Sequence, residues 1–249
     1  MSGHSKWATI KRAKGKADSA RGKLFSRLIK EITIAARTGG GDPDSNPRLR
    51  SAITTAKGNN MPNKNIDNAI AKGTGQIEGV SYEEVTFEAY APGGVAIVIE
   101  SLTDNRNRTV AEVRHTITKA GGNLGNTNSV KWMFHLKGII TVYKKAVNEE
   151  TLMDVALEAG AEDIVEEGDE FTITTDPETF EDVKAALEKE KIELVSAELN
   201  KVPENTVKVE GENAMKVLKL MSILDDLDDT QNVYGNFDIS DEDMEKFEG

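Results

Sequence analysis

The spacing of apolar residues changes period near residue 80, and that change limits what the chain can fold into. From 19 to 73 apolar residues recur at every third or fourth position, and from 81 they alternate. A period near 3.6 belongs to helix and a period of two to strand, so a helical unit precedes one that contains sheet. Residues 19–38 give the clearest helix. Leu24, Phe25, Leu28, Ile29, Ile32, Ala35 and Ala36 share one side of the wheel, while Lys23, Arg27, Lys30 and Arg37 share the other. The apolar stripe must pack, which predicts that the cationic stripe faces outward. Gly39-Gly40-Gly41 ends this helix, since glycine readily takes the left-handed C-terminal conformation. Asn46 reads as the N-cap and Pro47 as the first residue of a second helix carrying Leu49, Ala52, Ile53 and Ala56 up to Gly58. After the turn Asn59-Asn60-Met61-Pro62, a third helix with Ile66, Ala69 and Ile70 stops at Gly73. Three amphipathic helices in succession predict a bundle, and 73–79 a linker.

Val85, Phe87 and Ala89 then alternate with Glu84, Thr86 and Glu88 as a strand. Pro92-Gly93-Gly94 turns the chain into a buried strand, Val95–Ile99. Residues 105–120 read as a helix with Val110, Val113, Ile117 and Ala120 on one face and Asp104 as its cap. Gly121–Gly125 is a loop. From Trp132 to Leu199 the pattern is strand 133–142, helix 149–159, strands 163–166 and 170–175, helix 178–188 and strand 192–199. This β-α-β-β-α-β order is ferredoxin-like. A helix over 211–227 and a strand over 232–239 follow, completing the unit begun at 81. The expected fold is α+β: an N-terminal three-helix bundle, then two α+β domains, one ferredoxin-like and inserted in the other. The domains are 1–79 (basic arm and bundle), 80–133 plus 202–249, and 134–201 (the insertion). The last ten residues are acidic and read as a frayed end.

The formal charge of -12 hides a gradient. Residues 1–80 carry 15 Lys and Arg against 6 Asp and Glu, residues 81–145 carry 8 against 6, and residues 146–249 carry 8 against 31. One end seeks a polyanion and the other repels one. The alternative is that the two ends attract each other. Against it, the cations of the opening segment (Lys6, Lys11, Arg12, Lys14 and Lys16) are interleaved with Gly, Ser and Ala rather than acids. An organelle transit peptide shares this composition, but here Lys outnumbers Arg and the arm runs straight into a helix. The N-terminus has no apolar core of a secretory signal, no run is long enough to span a membrane, and a cytoplasmic location is expected.

Enzymatic chemistry finds little support. With no cysteine there is no disulfide and no cysteine-ligated metal. His4, His115 and His135 share no metal-ligand spacing, and no nucleophile elbow, HExxH or phosphate-binding loop occurs. The glycines of GGNLG follow a helix rather than a strand, the wrong context for a dinucleotide. Asp225, Asp226, Asp228 and Asp229 crowd a helix C-terminus, where the dipole disfavours negative charge. They read as solvated carboxylates, with a divalent cation or a basic partner as the alternatives. No catalytic residue, metal or cofactor is expected.

The basic features are more specific, because Lys and Arg bind phosphates by releasing counterions. The arm extends the stripe Lys23, Arg27, Lys30 and Arg37. Trp7 either stacks on a base or staples the arm to the bundle. Arg48 and Arg50 stand in a first helical turn, against the dipole, where phosphate binding would give them a role. Asn105, Arg106, Asn107 and Arg108 open a helix whose free amides favour an anion. Capping plus salt bridges is the competing reading there.

Six segments in order (GHSKW, RGKLFSRLIKEI, GGGDPDSNPRLR, YAPGG, DNRNRTVAEVR and GGNLG) closely resemble the YebC/PmpR family. The mitochondrial translational activator of cytochrome c oxidase is its eukaryotic relative. The resemblance covers essentially the whole chain, with one local departure at Lys131 in SVKWMF. It implies three domains and a regulator of gene expression without enzymatic activity. Members are commonly labelled DNA-binding transcriptional regulators. Others are regarded as ribosome-associated translation factors that ease difficult sequences such as proline runs. The resemblance also implies a nucleic-acid surface at the basic N-terminus, matched here by Lys6, Lys11, Arg12, Lys14, Lys16, Arg21, Lys23 and Arg27. The expected partner is nucleic acid, either duplex DNA or ribosomal RNA, with the ribosome as a candidate and no membrane.

Overall fold

The computed structural model describes residues 18–248, with side chains from 22 onward apart from 241, 245 and 248. Helix α1 (Asp18–Gly39), α2 (Pro47–Gly58) and α3 (Asn63–Gly73) come first. Strands β1 (Glu83–Ala91) and β2 (Val95–Thr103), helix α4 (Arg106–Lys119) and strand β3 (Asn123–Leu124) follow. Next are β4 (Phe134–Tyr143), α5 (Glu149–Glu158), β5 (Ala161–Glu167), β6 (Glu170–Thr175), α6 (Phe180–Lys189) and β7 (Leu194–Pro203). The chain ends with β8 (Val207–Lys208), α7 (Gly211–Asp225), β9 (Thr230–Gly235), β10 (Phe237–Asp238) and α8 (Asp241–Glu248).

The three leading helices form a bundle around Leu28, Ile32, Ala35 and Ala36 of α1, with Leu49, Ile53 and Ala56 of α2 and Ile66 and Ala69 of α3. Helices α1 and α3 approach so closely that a Cβ on Gly73 would lie 2.3 Å from the Thr33 carbonyl oxygen. Asn46 ties two helix ends together. Its Oδ1 accepts from the Leu49 amide at 3.1 Å, capping α2. Its Nδ2 donates to the carbonyls of Ala35 at 2.8 Å and Gly40 at 2.9 Å, closing the C-terminus of α1. Gly40, at φ +87°, supplies the left-handed turn between them. Asn46→Ala is expected to cost about 1–3 kcal/mol, because a cap is lost and the carbonyls of Ala35, which is buried, and Gly40 lose their donor together. A thermal melt of the variant measures this.

The first sheet has the order β3-β1-β2-β9, all neighbours antiparallel. Val113 and Ile117 of α4, Val217 and Met221 of α7 and Met244 of α8 pack against Phe87, Ala89, Ile97 and Ile99 of this sheet. The second sheet has the order β5-β6-β4-β7, again antiparallel throughout, which is the ferredoxin-like order. Leu152 and Ala156 of α5 and Val183 and Leu187 of α6 cover Ile140, Val142, Phe171 and Ile173. The ferredoxin-like unit therefore sits between β3 and the returning α7 and β9. At the junction of the sheets, Glu100 of β2 pairs with Lys201 of β7 and accepts from the Tyr234 hydroxyl of β9 at 3.3 Å.

Three local expectations are corrected. The cap of α4 is Asn105, whose Oδ1 accepts from the Arg108 amide at 3.1 Å, so the helix begins one residue later than an Asp104 cap requires. The strand expected over 232–239 breaks at Asn236, whose Oδ1 accepts the Ala96 amide at 2.7 Å. Beyond it, β10 pairs in parallel with β8. The acidic end is not frayed up to residue 248. It is helix α8, held by buried Met244 and by Asp243, which accepts the Gly211 amide at 3.1 Å.

Candidate nucleic-acid interface

Lys23, Arg27 and Lys30 recur along one side of α1, and that side lies against the turn that ends α7. Lys23 Nζ donates to the Asp226 carbonyl at 3.0 Å and to its Oδ1 at 3.1 Å. Arg27 donates to the Asp225 carbonyl and stands 3.6 Å from Asp225 Oδ1. Lys30 Nζ donates to the Asp228 carbonyl at 2.9 Å and to Asp229 Oδ1 at 2.8 Å. The outward-facing stripe is thereby corrected for Arg27 and Lys30, which are covered, while Lys23 stays exposed beside Asp226. A helical wheel fixes directions around one helix but says nothing of a second unit that covers its polar face. The solvated reading of the acidic turn holds for Asp226 and Asp228, which are exposed, and falls for Asp225 and Asp229, whose side chains are covered. Three cations meet the carboxylates and carbonyls at the negative end of α7, where the helix dipole favours positive charge. Of the alternatives for this cluster, the basic partner is the one realised, and it is the chain's own first helix. Attraction between the two oppositely charged ends is present as well.

Asp229 is the centre of this contact, its side chain only 3% exposed. Besides Lys30, its carboxylate accepts from Arg108 Nη2 at 2.7 Å, Thr109 Oγ1 at 2.8 Å and Thr103 Oγ1 at 3.1 Å. Burial alone would raise its pKa, yet the hydrogen bonds from Lys30, Arg108 and Thr109 hold the carboxyl down at about 2. Arg108's own hydrogen bonds, to Asp229 first and to Asp104 second, raise its guanidinium above its ordinary value. Lys30 Nζ also stands 5.7 Å from the centre of the Tyr82 ring.

The other sequence candidates divide. Arg37 donates to Ser81 Oγ at 2.6 Å and to the Tyr82 carbonyl, joining α1 to the start of β1. Arg48 forks onto Glu31 at 2.6 and 3.0 Å and reaches Glu84 at 2.6 Å, so its place against the dipole has a structural cause. Arg50 donates to the carbonyls of Pro43 at 3.1 Å and Asp44 at 3.3 Å and remains exposed. At the start of α4, Asn105 caps, Arg106 stands 3.4 Å from Glu83, and Arg108 holds Asp104 and Asp229; Asn107 is exposed. That is the arrangement of caps and ion pairs. Lys6, Trp7, Lys11, Arg12, Lys14 and Lys16 lie outside the described residues. Arg21 belongs to α1, and its side chain is outside them too.

Sequence reasoning passed over Lys57, Lys64 and Lys72, which are exposed on α2 and α3 beside Arg50. Their signal is the buried pattern of those helices: Ile66 and Ala69 face inward, which turns Lys64 and Lys72 out. It also missed Asp229 as a hub. Its signal is an acid run at a helix end that the dipole disfavours.

Among the described residues no group of three or more His, Asp or Glu is placed to hold a metal ion. His115 is exposed on α4, and His135 Nε2 lies 3.7 Å from Glu204. No helix among the described residues is long and apolar enough to cross a membrane.

Known proteins resemble the chain throughout. Residues 5–76 match the profile of the TACO1/YebC protein N-terminal domain, and residues 82–237 match that of the TACO1/YebC second and third domain. A probable transcriptional regulatory protein of Geobacter sulfurreducens is 57% identical over 246 residues, covering 99% of both chains. Another, from Desulforapulum autotrophicum, is 56% identical over 97% of this chain and 98% of its own. The crystal structure of a conserved hypothetical protein from Aquifex aeolicus, 49% identical, superposes with a TM-score of 0.81. It covers 91% of this chain and 94% of that one.

Proposed function

From the premise that the chain belongs to the TACO1/YebC family, we propose that it is a non-enzymatic, nucleic-acid-binding regulator of gene expression that acts in the cytoplasm. The observation that carries this reading is how the positive charge is shared out. The acidic turn engages Lys23, Arg27 and Lys30, Ser81 and Tyr82 engage Arg37, and Glu31 and Glu84 engage Arg48. Arg50, Lys57, Lys64 and Lys72 remain exposed on α2 and α3, and the sequence before α1 adds Lys6, Lys11, Arg12, Lys14 and Lys16. Nucleic acid docks on the arm and the outer face of the bundle, through phosphate contacts and counterion release. The stripe of α1 joins the bundle to the rest of the molecule.

The names of the relatives favour transcription, with duplex DNA as the target. A second reading, a translation factor on ribosomal RNA, is favoured by the exposed face of α3. It presents Asn63, Lys64, Asp67, Asn68 and Lys72. Lysines and amides suit shape and phosphate recognition in RNA. Sucrose-gradient fractionation of a lysate, with RNase- and DNase-treated controls, tests the pair. Migration with ribosomes that RNase abolishes selects RNA; a DNase-sensitive complex selects DNA. Migration as free protein in every sample would refute both.

A further inference from the structure

From Val113 to Asn148 the chain has no Asp or Glu, although the whole sequence has 43. The same stretch carries Arg114, Lys119, Lys131, Lys137, Lys144 and Lys145. Lys137 is taken by Glu162 and Asp176, and Lys144 by Glu166; Arg114, Lys119, Lys131 and Lys145 are exposed. At the edge of this stretch two aromatic rings converge. Trp132 is 60% exposed and Tyr90, on neighbouring β1, is 40% exposed. Trp132 Nε1 and the Tyr90 hydroxyl both donate to the Ser129 carbonyl, at 3.2 and 3.3 Å. Both rings are therefore pinned by their polar edges at one point.

The loop that carries Ser129 is held from below. Glu88, buried at 5% exposure, accepts the amides of Asn128 at 2.6 Å and of Val130 and Lys131 at 2.7 Å. Burial alone would raise the Glu88 pKa, but these three bonds keep the carboxyl below its ordinary value. A Cβ on Gly125 would stand 2.4 Å from Ser129 Oγ, so a side chain there would displace that hydroxyl. A buried carboxylate is expensive unless fully hydrogen-bonded. Here it is spent on fixing a loop whose outward side shows Asn126, Thr127, Asn128 and Lys131.

The geometry points to a binding site for unpaired nucleobases, built from Trp132, Tyr90 and the amide-bearing loop 126–131. This site deepens the proposed function and rests on it. Aromatic rings stack on any base, and asparagine amides pair with base edges. Exposed Lys131 holds the phosphates between them. An apolar peptide would be met by aliphatic side chains, whereas this rim is amide, hydroxyl and ammonium. The bases come from single-stranded RNA or from melted DNA.

Fluorescence anisotropy of labelled twelve-nucleotide single strands, one RNA and one DNA, and of the corresponding duplex tests the site with the full chain. Trp132→Ala is expected to weaken single-strand binding about tenfold, the measured scale of one base–aromatic stack. Duplex affinity and the salt slope stay unchanged, since stacking releases no counterions. Trp132→Phe restores most of the loss. The strand bound more tightly by the unaltered protein identifies the source of the bases. Unchanged single-strand affinity in Trp132→Ala overturns the site, as does an equal loss for single strand and duplex; the proposed function survives either result. Failure of the unaltered protein to bind any of the three probes overturns both.

Discussion

Replacing Asp229 with alanine is expected to destabilise the protein by about 3–5 kcal/mol, the range for breaking one side of a buried ion pair. The loss is large because one carboxylate serves four donors: Lys30, Arg108, Thr103 and Thr109. Lys30 is left with its side chain only 12% exposed and its counterion gone. In a chain of this length that is roughly a 10 °C fall in Tm. The damage has a place as well as a size. Asp229 follows α7 while Lys30 lies in α1, so the variant loosens the bundle from the first sheet. Limited proteolysis of the 73–79 linker reports this separately from global unfolding. Changing Lys23, Arg27 and Lys30 together to alanine acts on the same contact from the other side. It is expected to lower stability, whereas an exposed stripe would lose under about 0.5 kcal/mol. A melt of Asp229→Ala that overlays the unaltered protein's would remove the hub.

The hub also sets an acid limb. The folded pKa of Asp229, about 2, lies below the unfolded value for aspartate. Its stabilising contribution is fully present above the unfolded pKa and is lost as pH falls from about 4 to about 2. For a carboxyl held at about 2, the linkage over that window is roughly 2 kcal/mol. Asp229→Asn keeps the shape and removes the titration, so its stability curve is flatter between those pH values.

The fold was more legible than the interface, for a physical reason. Periodicity belongs to single elements. Leu28, Ile32 and Ala35 announce a helix face, and Val85, Phe87 and Ala89 a strand face, wherever those elements finally lie. The β-α-β-β-α-β order and the return at 211 likewise follow from sequence order alone. Contact between distant elements leaves no periodic trace. Nothing in the spacing of Lys23, Arg27 and Lys30 says that residues two hundred positions later cover them. The one available sign was Asp225–Asp229 at a helix C-terminus, a place that asks for cations. The helix α8 was hidden because Met244 and Phe247, its apolar contribution to the main core, stand among acids that read as a solvated tail.

With the stripe engaged in an internal contact, the proposed function rests the phosphate contacts on the arm and the outer bundle. Neutralising Lys6, Lys11, Arg12, Lys14 and Lys16 together is expected to lower affinity about 10²–10³-fold near physiological salt. It should also reduce the magnitude of the log–log salt slope by about 3.5 to 4.5, the release expected for five phosphate contacts. A melting curve of the same variant separates this loss of affinity from a loss of fold. Neutralising Arg50, Lys57, Lys64 and Lys72 removes a smaller share, about 3 from the slope. The two sets act independently if they touch different phosphates, so their slope changes add. The alanine triple in α1 serves as the counter-case: stability falls while the salt slope of the remaining folded protein is preserved. Titrations of a labelled duplex and a labelled RNA across several salt concentrations give all of these slopes. An arm variant with the unaltered slope would place the anchor elsewhere. A triple variant that melts normally but loses its slope would restore the stripe of α1 as the phosphate-binding face.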